Sequence, residues 1–165
     1  MGAIRWLKHF CAADWLRWRQ FPRPVLAAIG QVVGEQEKRH DGELRFVVEG
    51  GLSPARLFRG MHSRARAVEL FGVLRVWDTE HNSGVLIYVL LADRAVEILA
   101  DRGIQARVGN PVWERICGEM RGHFSAGEFE LGSAHGIRAI SDVLAAHFPA
   151  VGSNPNELPD KPLVL

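Results

Sequence analysis

The sequence predicts an α/β protein, a three-layer α/β/α Rossmann-like sandwich around a small mixed sheet, preceded by an amphipathic N-terminal helix. Three short runs rich in Val, Ile, Leu and Phe are typical of strands. A helical segment separates the first run from the second, so these two strands are predicted to be parallel. Only a short turn separates the second run from the third, which favours an antiparallel hairpin. The chain has 165 residues, 47% hydrophobic and 24% charged, and is expected to fold as one globular unit.

Residues 1–22 are predicted to form a basic, tryptophan-rich amphipathic helix, which Pro22 and Pro24 end. Its apolar side chains recur every three or four positions and therefore share one face. That face comprises Ile4, Leu7, Cys11, Trp15 and Trp18, and it is widened by Trp6, Phe10 and Phe21. Two interpretations stay open, because such a helix lies on an anionic membrane surface or packs on its own domain or a second copy. The residues expected to contact the membrane or partner are Trp6, Phe10, Trp15 and Trp18.

Residues 25–149 are expected to form the globular domain, and residues 150–165 an extended, proline-rich tail. Ser53 followed by Pro54 is typical of a helix start. Periodic apolar positions predict helices over residues 25–39, 55–77 with a break near Gly60, 111–124 and 130–147. Strands are predicted over residues 44–49, 85–91 and 95–100.

Charge is unevenly distributed along a chain whose net charge is only +1. Residues 1–23 hold five basic side chains against Asp14 alone, and the rest of the chain is mildly acidic. An acidic body argues against nucleic acid as a partner, because phosphate binding needs a basic face on the fold. The longest apolar run, over residues 85–92, is too short to cross a membrane, and no signal peptide is expected. A cytoplasmic, bacterial-type protein is predicted, with residues 1–22 as the means of any peripheral attachment to the inner membrane.

The motifs of common enzymes are absent from the sequence: no P-loop, no G-x-G-x-x-G after the first strand, no H-E-x-x-H and no G-x-S-x-G. A thiolate phosphatase needs Arg six positions after its Cys, whereas His123 occupies that position after Cys117. Cys117 is therefore expected to be a buried helix residue, and His123, His135 and His147 surface or helix-end histidines. No catalytic residue is predicted. The two cysteines do not form a disulfide framework, which indicates a reducing compartment.

Oxygen-bearing side chains are predicted to converge at one end of the sheet. If the hairpin turns at residues 93–94, Leu86 pairs with about Asp101, which then lies beside the polar turn over residues 78–82. The first strand is parallel to the second and begins at the same end. Carboxylate and amide oxygens without Cys or clustered His favour Ca²⁺ or Mg²⁺. The candidate metal ligands are Glu43, Asp78, Asn82 and Asp101, with Glu80 nearby.

Two other interpretations of the polar residues stay open. In the simpler one they are solvated loop ends, since Asp and Asn commonly begin turns, and Asp101 pairs with Arg102 or Arg107. The other places a ligand site at the carboxyl ends of the parallel strands, where open α/β sheets usually bind ligands. That end offers fewer oxygen ligands and carries Glu49, Gly50, Gly51 and Asp93.

A strand opening with the letters N-S-G-V-L-I-Y-V spans residues 82–89, and a strand exit with the letters D-R-G-I spans residues 101–104. Further characteristic segments are residues 42–45, Asp93-Arg94, Trp113, residues 124–137, residues 147–149 and residues 156–160. In their order and spacing, these segments resemble the TPM domain family over about residues 25–165.

The resemblance implies the same Rossmann-like α/β/α sandwich that the pattern predicts, in soluble or membrane-tethered proteins, often near membrane protein complexes. Some family members bind divalent metals, and an acid-phosphatase role is attached to the family, so the resemblance supports a Ca²⁺ or Mg²⁺ site. Asn82 and Asp101 lie at family-like positions, Glu43 matches the start of the first strand, and Asp78 rests on geometry alone.

Three functions follow as expectations. The preferred one is a non-catalytic TPM module that binds a partner protein, with Ca²⁺ binding and attachment to the membrane surface as further properties. It is preferred because the chain combines a basic aromatic helix and a proline-rich tail with no catalytic motif. The enzymatic alternative is a divalent-metal-dependent acid phosphatase, in which carboxylates hold a cation that activates water. The third is a structural role, in which a metal ion only holds a loop on the sheet edge.

Overall fold

The computed structural model describes residues 3–11, 13–152 and 156–165. The helices are α1 Ala3–Cys11, α2 Ala13–Gln20, α3 Arg23–Gln36, α4 Pro54–Phe58, α5 Ser63–Val73, α6 Arg102–Val108, α7 Asn110–Ser125 and α8 Phe129–His147. The strands are β1 Leu44–Glu49, β2 Val85–Leu90, β3 Ala95–Ala100 and β4 Leu163–Val164. The prediction of one unbroken helix over residues 1–22 runs through residue 12, which lies outside the described residues. None of the helices in these ranges combines the length and the hydropathy needed to cross a membrane.

The sheet is mixed and has its strands in the order β3-β2-β1-β4. Strands β1 and β2 are parallel, with Leu44 opposite Val85. Strands β2 and β3 are antiparallel, with Val85 opposite Ala100. Strand β4 joins the other edge of β1 in parallel, with Val47 opposite Leu163. The predicted fold class is confirmed, since helices flank both faces of a small mixed sheet that contains the expected hairpin.

Alternation along the strands divides the apolar side chains between two cores, one on each face of the sheet. Phe46 of β1 and Ile87 of β2 face the first core, which α3, α7 and α8 complete. Val47 and Tyr88 face the second core, which α4 and α5 complete. Every position of β1 and β2 is buried, as is typical of central parallel strands covered on both faces.

The hairpin register differs from the predicted one. Leu86 pairs with Leu99 rather than with Asp101. The turn is longer than expected, because it takes four residues and ends at Arg94 in the left-handed region with φ 52°. Asp101 nevertheless stays at the predicted end of the sheet, since its N–H donates to the carbonyl of Gly84 at 2.8 Å.

Three elements depart from the sequence-based prediction. The long helix expected after the first strand is divided into α4 and α5, and Gly60 lies between them with a left-handed φ of 71°. Helix α6 was not expected, and it begins where the Asp101 carboxylate accepts a hydrogen bond from the Arg102 N–H at 2.7 Å. The end of the tail forms β4, where the Leu165 N–H donates to the carbonyl of Val48 at 2.9 Å.

Candidate functional site

The N-terminal helices are held on the domain by Asp93, in the turn between β2 and β3. Arg5 donates to both carboxylate oxygens of Asp93, at 3.1 and 2.9 Å, and to the carbonyl of Met61 at 2.8 Å. The buried His9 ring accepts at Nδ1 from the Leu52 N–H at 2.9 Å, so its Nε2 carries the hydrogen that it donates to Asp93 at 3.0 Å. Burial opposes ionisation of Asp93, but the hydrogen bonds from Arg5 and His9 outweigh it and lower the pKa of that carboxyl.

The docked segment crosses the carboxyl ends of the parallel strands. Trp6 of α1 packs against the second core, and Leu16 of α2 packs against the first. One face of this segment therefore packs on its own domain, as the second interpretation predicts, and contact with a membrane stays a prediction. Arg5 and His9 are four residues apart, so they lie on the same face of α1, and this spacing could have indicated the docked face. The aromatic residues of the segment indicated a different face.

Only part of the predicted apolar face points away from the domain, because Trp6 packs against the second core and Phe21 is buried in the first. Leu7, Phe10, Trp15 and Trp18 expose 63%, 73%, 58% and 59% of their surfaces. The Arg17 guanidinium lies 5.6 Å from the Trp18 ring centroid, and that of Arg19 lies 5.0 Å from the Trp15 centroid. We call this surface the basic-aromatic face: Leu7, Lys8, Phe10, Trp15, Arg17, Trp18 and Arg19. Contiguous exposed apolar side chains of this size are typical of surfaces that contact a protein, a membrane or a ligand.

A groove of about 710 Å³ lies beside this face. Its walls come from α2, from the β2–β3 turn and from the turn between α7 and α8, and Leu16, Phe124 and Phe129 supply apolar surface. The charged side chains among its described lining residues are all cationic: Lys8, Arg19, Arg94 and Arg121. We call it the basic groove. The contributions of Arg94 and Arg121 were not foreseen, because the fold alone brings these distant positions beside α2.

At the other end of the sheet, two of the four predicted metal ligands are separately engaged. The buried carboxylate of Glu43 accepts from the Leu158 N–H of the tail at 3.0 Å, and burial raises its pKa. Asp78 is exposed and lies 3.8 Å from the Arg75 guanidinium.

The other two predicted ligands meet at Arg102, the first residue of α6. Asn82 Oδ1 accepts from Arg102 Nε at 3.0 Å, and Asp101 Oδ1 accepts from the Arg102 N–H. The chain packs closely here, because a Cβ on Gly103 would lie only 2.5 Å from the carbonyl oxygen of Asn82. Asp101 is 8% exposed, and its buried Oδ2 has no hydrogen-bond partner within the described ranges. We call this arrangement the Asp101–Asn82 corner.

The Asp101–Asn82 corner offers oxygen donors of the kind that hard cations prefer, although Asn82 Oδ1 already accepts from the Arg102 guanidinium. Among residues 3–11, 13–152 and 156–165, no three His, Cys, Asp or Glu side chains are grouped so as to hold a metal ion. The four-residue Ca²⁺ or Mg²⁺ site therefore stays a prediction, and Asp101 with Asn82 is the part of it that the fold brings together.

The second predicted location, at the carboxyl ends of the strands, is occupied by protein groups. Glu49 is buried and accepts from the Tyr88 hydroxyl at 2.7 Å and from Arg66 Nε at 2.9 Å. Asp93 is bound by α1, as described above. Burial raises the pKa of Tyr88, which keeps the hydroxyl protonated as the donor in this network. These two carboxylates are thus hydrogen-bonded within the fold.

A carboxyl cluster that the sequence did not indicate lies where the tail crosses α3. Burial raises the pKa of Glu37 to about 9, and the nearby carboxyls of Glu43 and Asp160 raise it further against the opposing hydrogen bond from Leu44. That hydrogen bond runs from the Leu44 N–H to Glu37 Oε1 at 2.9 Å. The tail was predicted as extended chain, so nothing in the pattern placed Asp160 beside α3.

The predictions for Cys117 and for the three histidines of the C-terminal half agree with the structure. Cys117 is buried in α7, and burial raises the pKa of its thiol to about 11. His147 ends α8, and its carbonyl accepts from Arg107. His123 and His135 lie on α7 and α8 and pair with Glu128 and Glu119.

The protein is thus a three-layer α/β/α sandwich. The N-terminal helices cross one end of its sheet, and the Asp101–Asn82 corner lies at the other end. A family model described as the TPM domain matches residues 23–143. The chain belongs to the TPM domain family, as the sequence motifs led us to expect. Its fold is similar to the NMR structure of BA42 protein from the psychrophilic bacterium Bizionia argentinensis, with a TM-score of 0.75 and 28% identity over 86% of this chain and 93% of that one. No curated protein matches the chain.

Proposed function

We propose that this TPM-domain protein is a non-catalytic assembly module that binds an acidic segment of a partner protein. The binding surface is the basic groove together with the basic-aromatic face beside it. The charge of the groove carries the proposal, because the four charged side chains of its described lining are all cationic. Complementary charge steers an acidic partner to this surface, and the exposed aromatic rings supply apolar contact area.

The concave shape favours a protein segment as the partner. A groove of about 710 Å³ accepts the apolar face of a short helix, whereas a flat bilayer reaches only the outward side chains. Leu16, Phe124 and Phe129 would contact that apolar face, and Arg94 and Arg121 its acidic side chains.

The chemistry of the groove supports a binding role rather than catalysis. Its described lining includes no His, Cys, Asp or Glu side chain that would act as a general base or hold a catalytic metal. A groove with only cationic charges is suited to neutralise a bound acidic group and leave it unchanged.

Binding is tested with a synthetic acidic amphipathic peptide of Glu, Leu and Phe, labelled for fluorescence anisotropy, and with the same peptide carrying Lys in place of Glu. We expect the acidic peptide to bind and the basic one not to bind. The affinity should fall at higher salt because the rim charges are screened. The double variant Arg94→Glu/Arg121→Glu should weaken binding at least about tenfold, since each reversal replaces attraction by repulsion.

The matched control is Arg138→Glu, which reverses an exposed charge of α8 that does not line the groove. This variant should bind the acidic peptide like the wild type. Equal binding of the acidic and basic peptides, or undiminished binding by the groove variant, would contradict the proposal.

Peripheral membrane attachment is a second candidate function, favoured by the outward exposure of Phe10 and Trp18 beside basic side chains. Vesicles with and without anionic lipid test it by co-sedimentation. Salt-sensitive binding to the anionic vesicles that Phe10→Ser/Trp18→Ser abolishes, without binding of the acidic peptide, would replace the protein partner by the membrane.

Binding of Ca²⁺ or Mg²⁺ at the Asp101–Asn82 corner is a further candidate property, favoured by the unpartnered Oδ2 of Asp101. A melting curve in EDTA and in excess Ca²⁺ should then show stabilisation by the ion, since the ion binds the folded state. Asp101→Asn keeps the capping oxygen of α6 but removes the charge, so it should abolish the shift, whereas Asp142→Asn on the exposed face of α8 should not. A shift that survives in Asp101→Asn would remove the corner from the proposal.

The enzymatic alternative, a divalent-metal-dependent acid phosphatase, is tested with the same variants. Para-nitrophenyl phosphate is supplied with Ca²⁺ or Mg²⁺ at acid pH. Metal-dependent turnover that disappears in Asp101→Asn would overturn the non-catalytic assignment and favour the enzyme.

A further inference from the structure

The two edges of the sheet are treated differently by the chain. On one side the tail adds β4 to β1, whereas on the other side β3 is the last strand of the order β3-β2-β1-β4. The Asp101 N–H donates to the carbonyl of Gly84, which fixes the alternation of the antiparallel ladder between β2 and β3. The backbone N–H and C=O groups that point outward from β3 are therefore those of Val96, Ile98 and Ala100. Such outward groups on an edge strand can pair with a strand of another chain.

A groove of about 390 Å³ lies along this edge, and its lining comes from residues 96–98 of β3, from α7 and from Arg64 of α5. The Arg64 guanidinium donates to the carbonyl of Ile98 at 2.7 Å, and the Ile98 N–H donates to the Cys117 thiol. A carbonyl oxygen has a second lone pair, and a thiol is only a weak acceptor. Both backbone groups of Ile98 can therefore pair with a strand that enters the groove.

Helix α7 lies alongside β3 and runs in the opposite direction. Cys117 contacts the N–H of Ile98, near the middle of β3. Four residues later in α7, Arg121 lines the basic groove together with Ala95, the first residue of β3. Going forward along α7 thus means going back along β3, and Cys117 is level with the middle of the strand.

Opposite charges on α7 are placed evenly about that level. Glu114 and Arg121 are both exposed and line the groove. They are seven residues apart, so two helical turns, about 10.5 Å, separate them on one side of α7. Gly118 lies between them, and the nearest side chain to a Cβ built there would be that of Arg121, at 3.9 Å. A second α7 in the opposite direction would bring its Arg121 to Glu114 and its Glu114 to Arg121.

The charge of this groove differs from that of the basic groove. Its described lining carries two cations, Arg64 and Arg121, and two carboxylates, Glu97 and Glu114. An acidic peptide would be repelled by the two carboxylates. A lining that carries both signs in equal number is complementary to itself under two-fold symmetry, which favours a second copy of this chain as the occupant.

We propose that the β3 edge is a self-complementary interface through which two copies of this chain form a dimer with one continuous sheet. Strand β3 pairs antiparallel with β3 of the second copy, and Ile98 lies on the two-fold axis. Val96 of each copy then lies opposite Ala100 of the other. This register places Glu97 opposite Leu99, so the two Glu97 carboxylates do not face each other directly.

The same axis passes between the two α7 helices, because Cys117 is level with Ile98. Glu114 of each copy pairs with Arg121 of the other, so the dimer contains this ion pair twice. The basic-aromatic face lies on the N-terminal helices and takes no part in the interface.

Sedimentation equilibrium of the full-length protein at micromolar concentrations tests the dimer, which we expect for the wild type. Glu114→Arg and Arg121→Glu should each weaken the dimer at least about tenfold, since symmetry makes each reversal act at two ion pairs. The double variant Glu114→Arg/Arg121→Glu exchanges the two charges and should restore the dimer. Glu130→Arg, which reverses an exposed charge of α8 outside the groove, is the matched control and should leave the dimer unchanged.

Amide hydrogen exchange tests the strand pairing itself. The amides of Val96 and Ala100 should exchange slowly in the wild-type dimer and faster in the dissociated Glu114→Arg variant. Glu114 does not line the basic groove, so Glu114→Arg should bind the acidic peptide like the wild type, and the two proposals can fail separately. A monomeric wild type, a double variant that does not dimerise, or unprotected Val96 amides in a dimer would overturn the proposed interface.

Discussion

Asp93 holds the N-terminal helices in position through its carboxylate. It accepts from Arg5 at two oxygens and from His9 at one, while His9 also accepts from the Leu52 N–H. These bonds join three parts of the chain at the carboxyl ends of the parallel strands. The same end of the sheet is where open α/β proteins usually bind ligands, and α1 covers the part of it around Asp93.

Asp93→Ala should loosen the N-terminal helices. It leaves Arg5 and the buried His9 without their shared acceptor, and the loss of charge-assisted hydrogen bonds should lower the free energy of unfolding by about 1–3 kcal/mol. Urea denaturation measures this loss, and faster tryptic cleavage within residues 17–23 reports the loosened helices. Asp142→Ala, at an exposed ion pair with Arg39, is the control and should change stability by less than about 1 kcal/mol. Unchanged cleavage in the Asp93 variant would contradict the docking.

A second prediction at this scale concerns the pH dependence that Glu37 imposes. Its pKa is raised to about 9 in the folded protein, above the ordinary value of 4.5. The folded state therefore binds more protons than the unfolded state between these values, so stability is fully present below about pH 4.5 and declines as the pH rises towards 9.

Glu37→Gln should remove this decline, because the amide keeps the acceptor for the Leu44 N–H but has no charge. At pH 8 we expect the variant to melt roughly 2–4 °C or more above the wild type, with little difference at pH 5. Melting curves across this pH range measure the effect. The exposed Glu35→Gln serves as the control, and parallel pH profiles for Glu37→Gln and the wild type would show the interpretation to be wrong.

At the scale of elements, the C-terminal tail is a part of the fold. Strand β4 pairs with β1, and buried Arg45 donates to the carbonyls of Pro159 and Lys161 at 2.6 and 2.7 Å. Leu158 packs against the second core, and its N–H is bound by Glu43. The tail thus covers the sheet edge that β1 would otherwise expose, which prevents pairing with another chain.

Leu158→Ala should destabilise the protein by about 2–4 kcal/mol, the usual cost of truncating a buried leucine. The side chain is 7% exposed, whereas Val151, in the same tail, is 79% exposed. Val151→Ala is therefore the matched control and should change the free energy of unfolding by less than about 0.5 kcal/mol. Chemical denaturation distinguishes the two variants, and equal stability would mean that the tail is not docked.

For the whole molecule, the two cores as described lie mainly in residues 21–165. Among the side chains of α1 and α2 that the structure describes, Trp6 and Leu16 are the hydrophobic ones that pack against these cores. The N-terminal helices contribute the basic-aromatic face and one wall of the basic groove. Folding and the proposed binding would therefore be carried by largely separate parts of the chain, and this separation is testable.

Deletion of residues 1–20 should leave a cooperatively folding domain with a lower melting temperature. Phe21 is retained because it is buried in the first core. The shortened protein should lose at least about tenfold in affinity for the acidic peptide, since Lys8, Trp15 and Arg19 are gone from the groove. Circular dichroism and anisotropy measure the two effects, and full affinity in the shortened protein would place the binding surface elsewhere.

Of the four predicted metal ligands, two could be placed together from the sequence and two could not. The turn of Asn82 and the strand exit at Asp101 were brought to one corner by a short hairpin, and local rules describe such a hairpin well even when the register is two residues off. Asp78 and Glu43 have other partners, because Arg75 is three residues from Asp78 and the tail covers Glu43. No local rule indicates which distant segment covers a given carboxylate.

By itself the sequence determined the fold class, the parallel and antiparallel pairs of the first three strands and the family. These follow from apolar periodicity and from short connections, which act over a few residues. Only the tertiary structure decided which face of the N-terminal helices is buried, where the tail ends and which cations line one groove. The physical reason is that burial and charge proximity depend on contacts between residues as far apart as Arg5 and Asp93, and these exist only once the sheet has formed.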